Sequence, residues 1–226
     1  MRMINLKSVF PYIIAVLGYI FGNILNVEDV PSKAIFQYAG VVLFLTIFCS
    51  FAWILIAKKE EVVSHLGKIF LSVIYVIVPF VLIAQIPFLD NDFNYASYAI
   101  LGVFILIWSN DTFAYVIGKN FGKHKLLESI SPNKTIEGFF GGMISCFIMS
   151  YLLSIYFADL SLTQWIVIAG LVSIFGVMGD LIESMFKRQA GLKDSSNMIP
   201  GHGGFLDRFD SVIFAAPFIF IYLQLT

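Results

Sequence analysis

Two acidic residues stand out because they lie where an apolar chain should carry no charge. Asp111 follows the segment Leu106-Ile107-Trp108-Ser109-Asn110, and Asp180 closes the apolar run 174–179. An ionised carboxylate beside hydrocarbon costs several kcal/mol unless it is paired or bound to a metal. One such acid could reach the headgroups or pair with a nearby lysine. Several acids beside a basic loop favour a functional site.

The residues after Asp180 predict a helix that continues past the membrane surface. Polar side chains recur there at helical intervals, on one face, at Asp180, Ser184, Lys187 and Arg188. A carboxylate, a hydroxyl and two cations would therefore line up at the boundary between lipid and water. Glu183 precedes Lys187 by one helical turn, a spacing typical of an exposed ion pair worth a few tenths of a kcal/mol.

A glycine-rich turn follows this helix. Gly201, Gly203 and Gly204 surround His202 and would let backbone N–H groups approach a phosphate closely. Charged pairs flank the turn at Lys193-Asp194 and Asp207-Arg208. If a helix begins there, Asp207 and Asp210 share a face, and carboxylates at a helix start suit both the helix dipole and a hard divalent cation. Together these residues predict a site for phosphate and metal.

A second basic segment lies at 118–136. Ser131, Lys134 and Thr135 offer convergent donors for a nucleotide phosphate, and Glu137 opens the next apolar run. A basic loop can also bind anionic lipid headgroups without any catalysis. That simpler interpretation suits Lys119 and Lys123 better than the three residues nearer the helix.

Composition predicts the elements that must position these residues. Of the 226 residues, 59% are hydrophobic and 13% are charged, against about 45–50% and about 25% in a typical soluble domain. Continuous apolar runs long enough to cross a bilayer predict an all-α, polytopic transmembrane helix bundle. Its seven expected spans are 8–27, 34–57, 67–89, 96–117, 137–158, 163–182 and 209–226.

Charge asymmetry predicts the orientation of this bundle. With the N-terminus on one side, all but one of the 14 Lys and Arg residues fall on that side, the exception being Lys33. Cytoplasmic loops carry the excess of Lys and Arg, so the two long loops, 118–136 and 183–208, are expected in the cytoplasm. We expect one membrane domain, with N-terminal helices in 1–95 and a catalytic region in 96–226. The net charge of −1 gives no sign of a nucleic-acid partner.

The segment 184–210 resembles the diagnostic motif of the phosphatidate cytidylyltransferase family. That pattern is Ser-x-x-Lys-Arg, four residues, Lys-Asp, and then Pro-x-His-Gly-Gly-x-x-Asp-Arg-x-Asp, and every fixed position is present here. The segments 110–115 and 121–138 also resemble the family, so the similarity covers roughly residues 100–226. Bacterial members usually have eight or nine membrane helices, so the seven expected here imply a short member or missing first helices.

The resemblance implies an enzyme of bacterial-type inner membranes that transfers the cytidylyl group of CTP to phosphatidic acid. It implies Mg²⁺ held by Asp180 and Asp207, with Asp111 and Asp210 as further candidates, and it leaves open a second cation and a homodimer. The expected catalytic residues are Asp180, Asp207, Lys193, Asp194 and Arg208. The expected substrate-binding residues are Ser131, Lys134, Thr135, Ser184, Lys187, Arg188, His202, Gly203 and Gly204. Because phosphatidic acid is already an anion, His202 is expected to contact phosphate or the cation shell rather than act as a base.

Three other functions agree less well with these residues. A CTP-dependent lipid or polyprenol kinase would use the same donor, but the complete motif at 193–210 argues against it. A CDP-alcohol phosphotransferase would carry Asp-x-x-Asp-Gly-x-x-Ala-Arg, which this sequence lacks. A transporter would place polar groups near the membrane midplane, whereas here they gather at one rim.

The charge asymmetry makes the orientation testable. In a variant without Cys49 and Cys146, single cysteines introduced at Lys125 and Ser195 should react with an impermeant maleimide only after the inner face of the membrane is opened. Reaction of either cysteine in intact cells would contradict the orientation.

Overall fold

The computed structural model describes residues 48, 49, 51, 61–88, 97–196 and 204–226. The expected spans 8–27 and 34–57 lie outside these residues, apart from three positions. The chain forms two compact units, residues 1–81 and 82–226.

The described part of the first unit is helical. Helix α1, Val62–Ser72, runs into a π-helical turn, Val73–Ile77. Ile69, Val73 and Ile77 form a small buried cluster on one face. Helix α2, Val78–Gln85, and a 3₁₀ turn, Ile86–Phe88, come next in the chain, which passes into the second unit within α2.

The second unit contains the motif residues. Helix α3, Ser97–Phe121, leads to an antiparallel hairpin of β1, Lys125–Leu127, and β2, Ser131–Thr135. Helix α4, Ile136–Tyr156, and helix α5, Leu162–Leu171, follow. A π-helical turn, Val172–Gly176, joins α5 to α6, Val177–Gln189, and α7, Leu206–Leu225, ends the chain.

Side-chain caps explain where several of these helices begin and end. The Thr135 side chain accepts a hydrogen bond from Gly138 N at the start of α4, and Ser161 with Gln164 forms a capping box at the start of α5. After α6, Gly191 has φ 66°, and the N–H groups of Gly191 and Leu192 bond back to Arg188 O and Lys187 O. This Schellman motif ends α6 and turns the chain into the next loop.

Four helices within the described residues are long and apolar enough to cross a membrane: Val62–Gln85, Tyr98–Phe121, Ile136–Tyr156 and Leu162–Gln189. They correspond to the expected spans 67–89, 96–117, 137–158 and 163–182. The last helix continues past its span, as the polar face after Asp180 predicts. The expected span 209–226 forms α7, and the total of seven stays a prediction.

The described residues are mostly helical, as expected, and they depart from an all-α bundle in one place. The loop expected at 118–136 contains the β1–β2 hairpin, in which Lys125 pairs with Thr135 and Leu127 with Ser131. A side chain of α4 also holds the start of the hairpin. The Glu137 carboxylate accepts hydrogen bonds from the backbone N–H groups of Lys123 and His124 at 3.1 and 3.2 Å. The described part of the chain is therefore mostly helical and includes one short two-stranded sheet.

Close helix packing fixes the ends of α3, α4, α6 and α7. A Cβ atom added to Gly142 of α4 would lie 2.8 Å from Asn110 O and 3.1 Å from Ala114 Cβ, both on α3. Gly179 of α6 lies against the backbone of Asp210 and the side chain of Phe214 on α7. Because these helices touch through backbone atoms, the acidic residues beside the glycines have little freedom to shift.

The contact at Gly142 predicts a stability difference between two glycine substitutions. Gly142→Ala should destabilise the protein by about 1–3 kcal/mol, because the new methyl group overpacks the interface. Gly170→Ala is the matched control, since nothing lies within 4 Å of the position that its new methyl group would take and alanine favours a helix. Thermal unfolding of both purified variants in one detergent measures the difference, and equal melting temperatures would contradict this packing.

Candidate active site

The candidate active site is formed by the hairpin, by α3 at Asp111, by α6 and by the start of α7. Lys134 Nζ of β2 lies 2.5 Å from Asp180 Oδ2 of α6. Lys187 Nζ of α6 lies 2.7 Å from Asp207 Oδ1 of α7. Asp111 of α3 interacts electrostatically with both Lys134 and Asp180. Residues far apart in sequence thus form one charged cluster.

Asp180 is the first residue of the predicted polar face of α6, and both of its carboxylate oxygens have partners. Ser184 Oγ, one turn along the helix, donates to Asp180 Oδ1 at 3.3 Å, while Lys134 contacts the other oxygen. The side chains of Lys134 and Asp180 are both partly exposed. The predicted alignment of Asp180 and Ser184 is present, and the cation beside them comes from the hairpin.

Asp207 ties α7 to the loop before it. Ser195 Oγ and Gly204 N each donate to Asp207 Oδ2 at 2.7 Å, and Ser195 N does so at 2.9 Å. Partial burial opposes ionisation, but the hydrogen bonds from Lys187, Ser195 and Gly204 outweigh it and hold the pKa of the Asp207 carboxyl well below its usual range. Asp207 is therefore a stable anion that holds the two described ends of this loop together.

This arrangement requires a glycine at position 204, because there is no room for a side chain. A Cβ atom added there would overlap Ser195 Oγ and lie 2.7 Å from Ser196 N. The glycine thus lets the two ends of the loop approach each other, as well as presenting its N–H to Asp207.

Glu183 is a site residue that the sequence reasoning misjudged. It was expected in an exposed pair with Lys187, but only 1% of its side chain is exposed. The pair exists, with Lys187 Nζ 2.5 Å from Glu183 Oε2, and it is buried beneath the polar face. The spacing from Asp180 to Glu183 and Lys187 is itself helical, so a polar stripe facing α7 was the signal that could have identified it.

Acidic side chains of three helices interact across the cluster. Asp210 of α7 interacts electrostatically with Asp180, Glu183 and Asp111, and it accepts a hydrogen bond from Ser211 N at 2.7 Å. Asn110, next to Asp111, is buried, and its Oδ1 has no hydrogen-bond partner among the described residues. The sequence reasoning also missed Asn110.

The donor set suits a hard divalent cation but forms no cage for one. Within the described ranges, no three His, Cys, Asp or Glu side chains are placed to hold one metal ion together. Mg²⁺ commonly binds through one or two carboxylates, with water and substrate phosphates completing its shell. The carboxylates of Asp111, Asp180 and Asp210 fit that mode, and the Asp207 oxygens are occupied by protein donors here.

The remaining predicted site residues have separate surroundings. Thr135 Oγ1 accepts from Gly138 N at 3.1 Å and so caps α4. Arg188, Lys193, Asp194 and Arg208 are exposed, with Arg188 Nη1 donating to Leu192 O at 3.4 Å. Ser131 lies at the start of β2. His202 and Gly203 lie outside the described residues.

Sequence comparison places this arrangement in a known family. The sequence profile of the family described as "Cytidylyltransferase family" matches residues 1–226. This chain belongs to that family. The charged cluster formed by the hairpin, α3, α6 and α7 is therefore the candidate active site of a cytidylyltransferase-family protein.

Relatives named phosphatidate cytidylyltransferase align with most of the chain. The phosphatidate cytidylyltransferase of Staphylococcus aureus strain COL is 38% identical over 225 residues, which are 99% of this chain and 82% of the relative. That of Staphylococcus saprophyticus is 36% identical over 230 residues, with the same coverage of 99% and 82%. That of Staphylococcus haemolyticus strain JCSC1435 is 50% identical over 126 residues, 55% of this chain and 48% of the relative.

Proposed function

We propose that this protein transfers the cytidylyl group of CTP to phosphatidic acid, forming CDP-diacylglycerol and pyrophosphate. The observation that carries this function is the family match over residues 1–226, together with relatives named phosphatidate cytidylyltransferase that align along 99% of the chain. The apolar helices support a lipid substrate, because a membrane enzyme meets phosphatidic acid at the surface where these helices end.

The reaction needs charge stabilisation more than a strong base. A phosphate oxygen of phosphatidic acid attacks the α-phosphorus of CTP, and the bond from that phosphorus to the β-phosphate oxygen breaks to release pyrophosphate. The attacking oxygen is already anionic, so no proton has to be removed first. Such transfers depend on positioning the two phosphates in line and on neutralising charge in the transition state.

The exposed cations at the end of α6 and in the following loop suit the phosphates. We assign phosphate binding to Arg188, Lys193 and Arg208, which are exposed. Arginine can bind phosphate through two parallel hydrogen bonds. Lys134 and Lys187 belong to the same cationic set, but carboxylates hold their ammonium groups in this structure. The proposed binding surface also includes Ser131, Thr135, Ser184, Asp194, His202, Gly203 and Gly204.

We propose Mg²⁺ as the cofactor, with Asp180 and Asp207 as its protein ligands and Asp111 and Asp210 as further candidates. A bound Mg²⁺ would neutralise charge on the triphosphate. The electrostatic proximity of Asp111, Asp180 and Asp210 supports a cation at this place. For Asp207, the cation would have to share the carboxylate with the donors that hold the loop.

The orientation is proposed on charge asymmetry alone. With the seven expected spans, all but one of the 14 Lys and Arg residues would fall on the side of the two long loops, and that side would face the cytoplasm of a bacterial cell, where CTP is available.

Labelled CTP tests the reaction directly. With purified protein, phosphatidic acid and Mg²⁺, label in the α-phosphate should enter the lipid phase, and label in the γ-phosphate should leave as pyrophosphate. Lipid that carries the γ-label would instead show a CTP-dependent lipid kinase. Label that stays in CTP under all conditions would contradict both reactions.

Substitution of the two proposed metal ligands tests the cofactor assignment. Asp180→Asn and Asp207→Asn should each lower turnover by about 100-fold or more, because one lost ligand costs several kcal/mol of charge stabilisation. Asp159→Asn is the matched control, since its carboxylate accepts from Tyr98 N in another part of the fold. Near-normal turnover of Asp180→Asn across a Mg²⁺ titration would remove Asp180 from the metal site.

A further inference from the structure

Glu183 is the one charged side chain that is fully buried within the described ranges, with 1% of its surface exposed. Its Oε2 atom contacts Lys187, while Oε1 has no hydrogen-bond partner in the described part of the chain. A buried carboxylate is costly unless a cation compensates it. Its contact with Lys187 therefore offsets part of the cost of burying Glu183 inside the bundle.

Lys187 is held from two sides. Its ammonium group donates to Glu183 Oε2 at 2.5 Å and to Asp207 Oδ1 at 2.7 Å. The carboxylates of Glu183 and Asp207 repel each other, so the ammonium group between them offsets that repulsion as well as bridging two helices. Only 12% of the Lys187 side chain is exposed. Its contact with the underlying Glu183 fixes the position of its ammonium group.

Asp207 connects Lys187 to the loop before α7. The same carboxylate accepts hydrogen bonds from Ser195 N, Ser195 Oγ and Gly204 N. Ser195 directly follows Lys193 and Asp194, which the proposed function places at the substrates. A continuous series of contacts thus runs from a residue inside the bundle to the loop at its surface.

We propose that Glu183 is a positioning residue that acts through Lys187 and Asp207 to order the loop ends at Ser195 and Gly204. The Glu183 side chain contacts Lys187, which also donates to Asp207, so it acts through this series of contacts. Lys187 is then a bridge between carboxylates and not a free phosphate ligand. The consequence for Lys193 and Asp194 rests on the proposed function, whereas the effect on loop order does not.

The structure supplies a direct readout of loop order. The N–H groups of Ser195 and Gly204 are both held by Asp207, so their hydrogen exchange reports whether that carboxylate stays in place. The hairpin supplies an internal control of the same kind, because the N–H groups of Lys123 and His124 are held by the carboxylate of Glu137. Exchange followed by mass spectrometry, without substrates, resolves peptides from the two regions.

In Glu183→Ala, peptides containing Ser195 and Gly204 should exchange about tenfold faster, while the hairpin peptides keep their rates. Glu183→Asp should show the same change, because its carboxylate is one methylene too short to meet Lys187 in place. Glu183→Gln should retain most of the protection, since its amide oxygen can still accept from Lys187. Glu137→Ala, the matched control variant, should speed exchange in the hairpin alone.

Two results would overturn the proposal. The first is unchanged exchange at the loop in both Glu183→Ala and Glu183→Asp. The second is equal acceleration in loop and hairpin, which would assign Glu183 to general stability. If Glu183→Ala fails to fold, the comparison of Glu183→Asp with Glu183→Gln decides in the same way.

Kinetics separate this proposal from the function on which it partly rests. A loosened loop has to be ordered when CTP binds, so the KM for CTP of Glu183→Asp should rise by up to the same factor of about ten, with kcat changed less. Absence of cytidylyl transfer in the unaltered protein would contradict the proposed function and leave the exchange result to decide the role of Glu183. A fall in kcat with an unchanged KM would contradict the positioning role.

Discussion

Charged side chains at the ends of apolar helices must find partners, and this constraint organises the candidate site. Helix α6 continues an apolar span to Gln189, so its acids lie beside apolar helices, where an unpaired charge is costly. Asp180 is paired with Lys134 from the hairpin, and Asp207 is paired with Lys187 from α6. These pairs do more than neutralise charge, because each joins a surface segment to the helix bundle. The same ion pairs that compensate the charge of the acids also position the hairpin and the loop before α7.

The helix packing beneath the site gives those pairs a fixed base. Gly142 brings α4 against α3 beside Asn110, and Gly179 brings α6 against α7 beside Asp210. Below them, buried residues such as Trp165, Ile168 and Ile213 fill the interior of the second unit. The π-helical turn Val172–Gly176 comes just before Asp180, and such turns often mark functional sites in helices. Rigid helices thus hold carboxylates whose partners come from loops, an arrangement that suits transfer between two bound phosphates.

The carboxylates have competing demands, which bears on how substrates would enter the site. Asp207 holds Lys187, Ser195 and Gly204 at once, and Asp180 is shared between Lys134 and Ser184. A nucleotide with its cation would bring both positive charge and phosphate to the cluster. The cation suits the carboxylates, and the phosphates suit the lysines that these carboxylates now hold.

Local properties of the chain were readable from the sequence, whereas pairing across elements was not. Continuous apolar runs identified the helices that became Tyr98–Phe121 and Ile136–Tyr156, because the bilayer sets length and hydropathy residue by residue. Helical spacing placed Asp180 and Ser184 together, and the motif at 184–210 identified the family. The hairpin was missed because its strands are only three and five residues long, too short to show an alternating pattern in the sequence. The burial of Glu183 was missed because a spacing of four residues fits an exposed pair equally well. Only the tertiary structure buries that carboxylate, and only the tertiary structure brings Asp207 to Lys187 from 20 residues away.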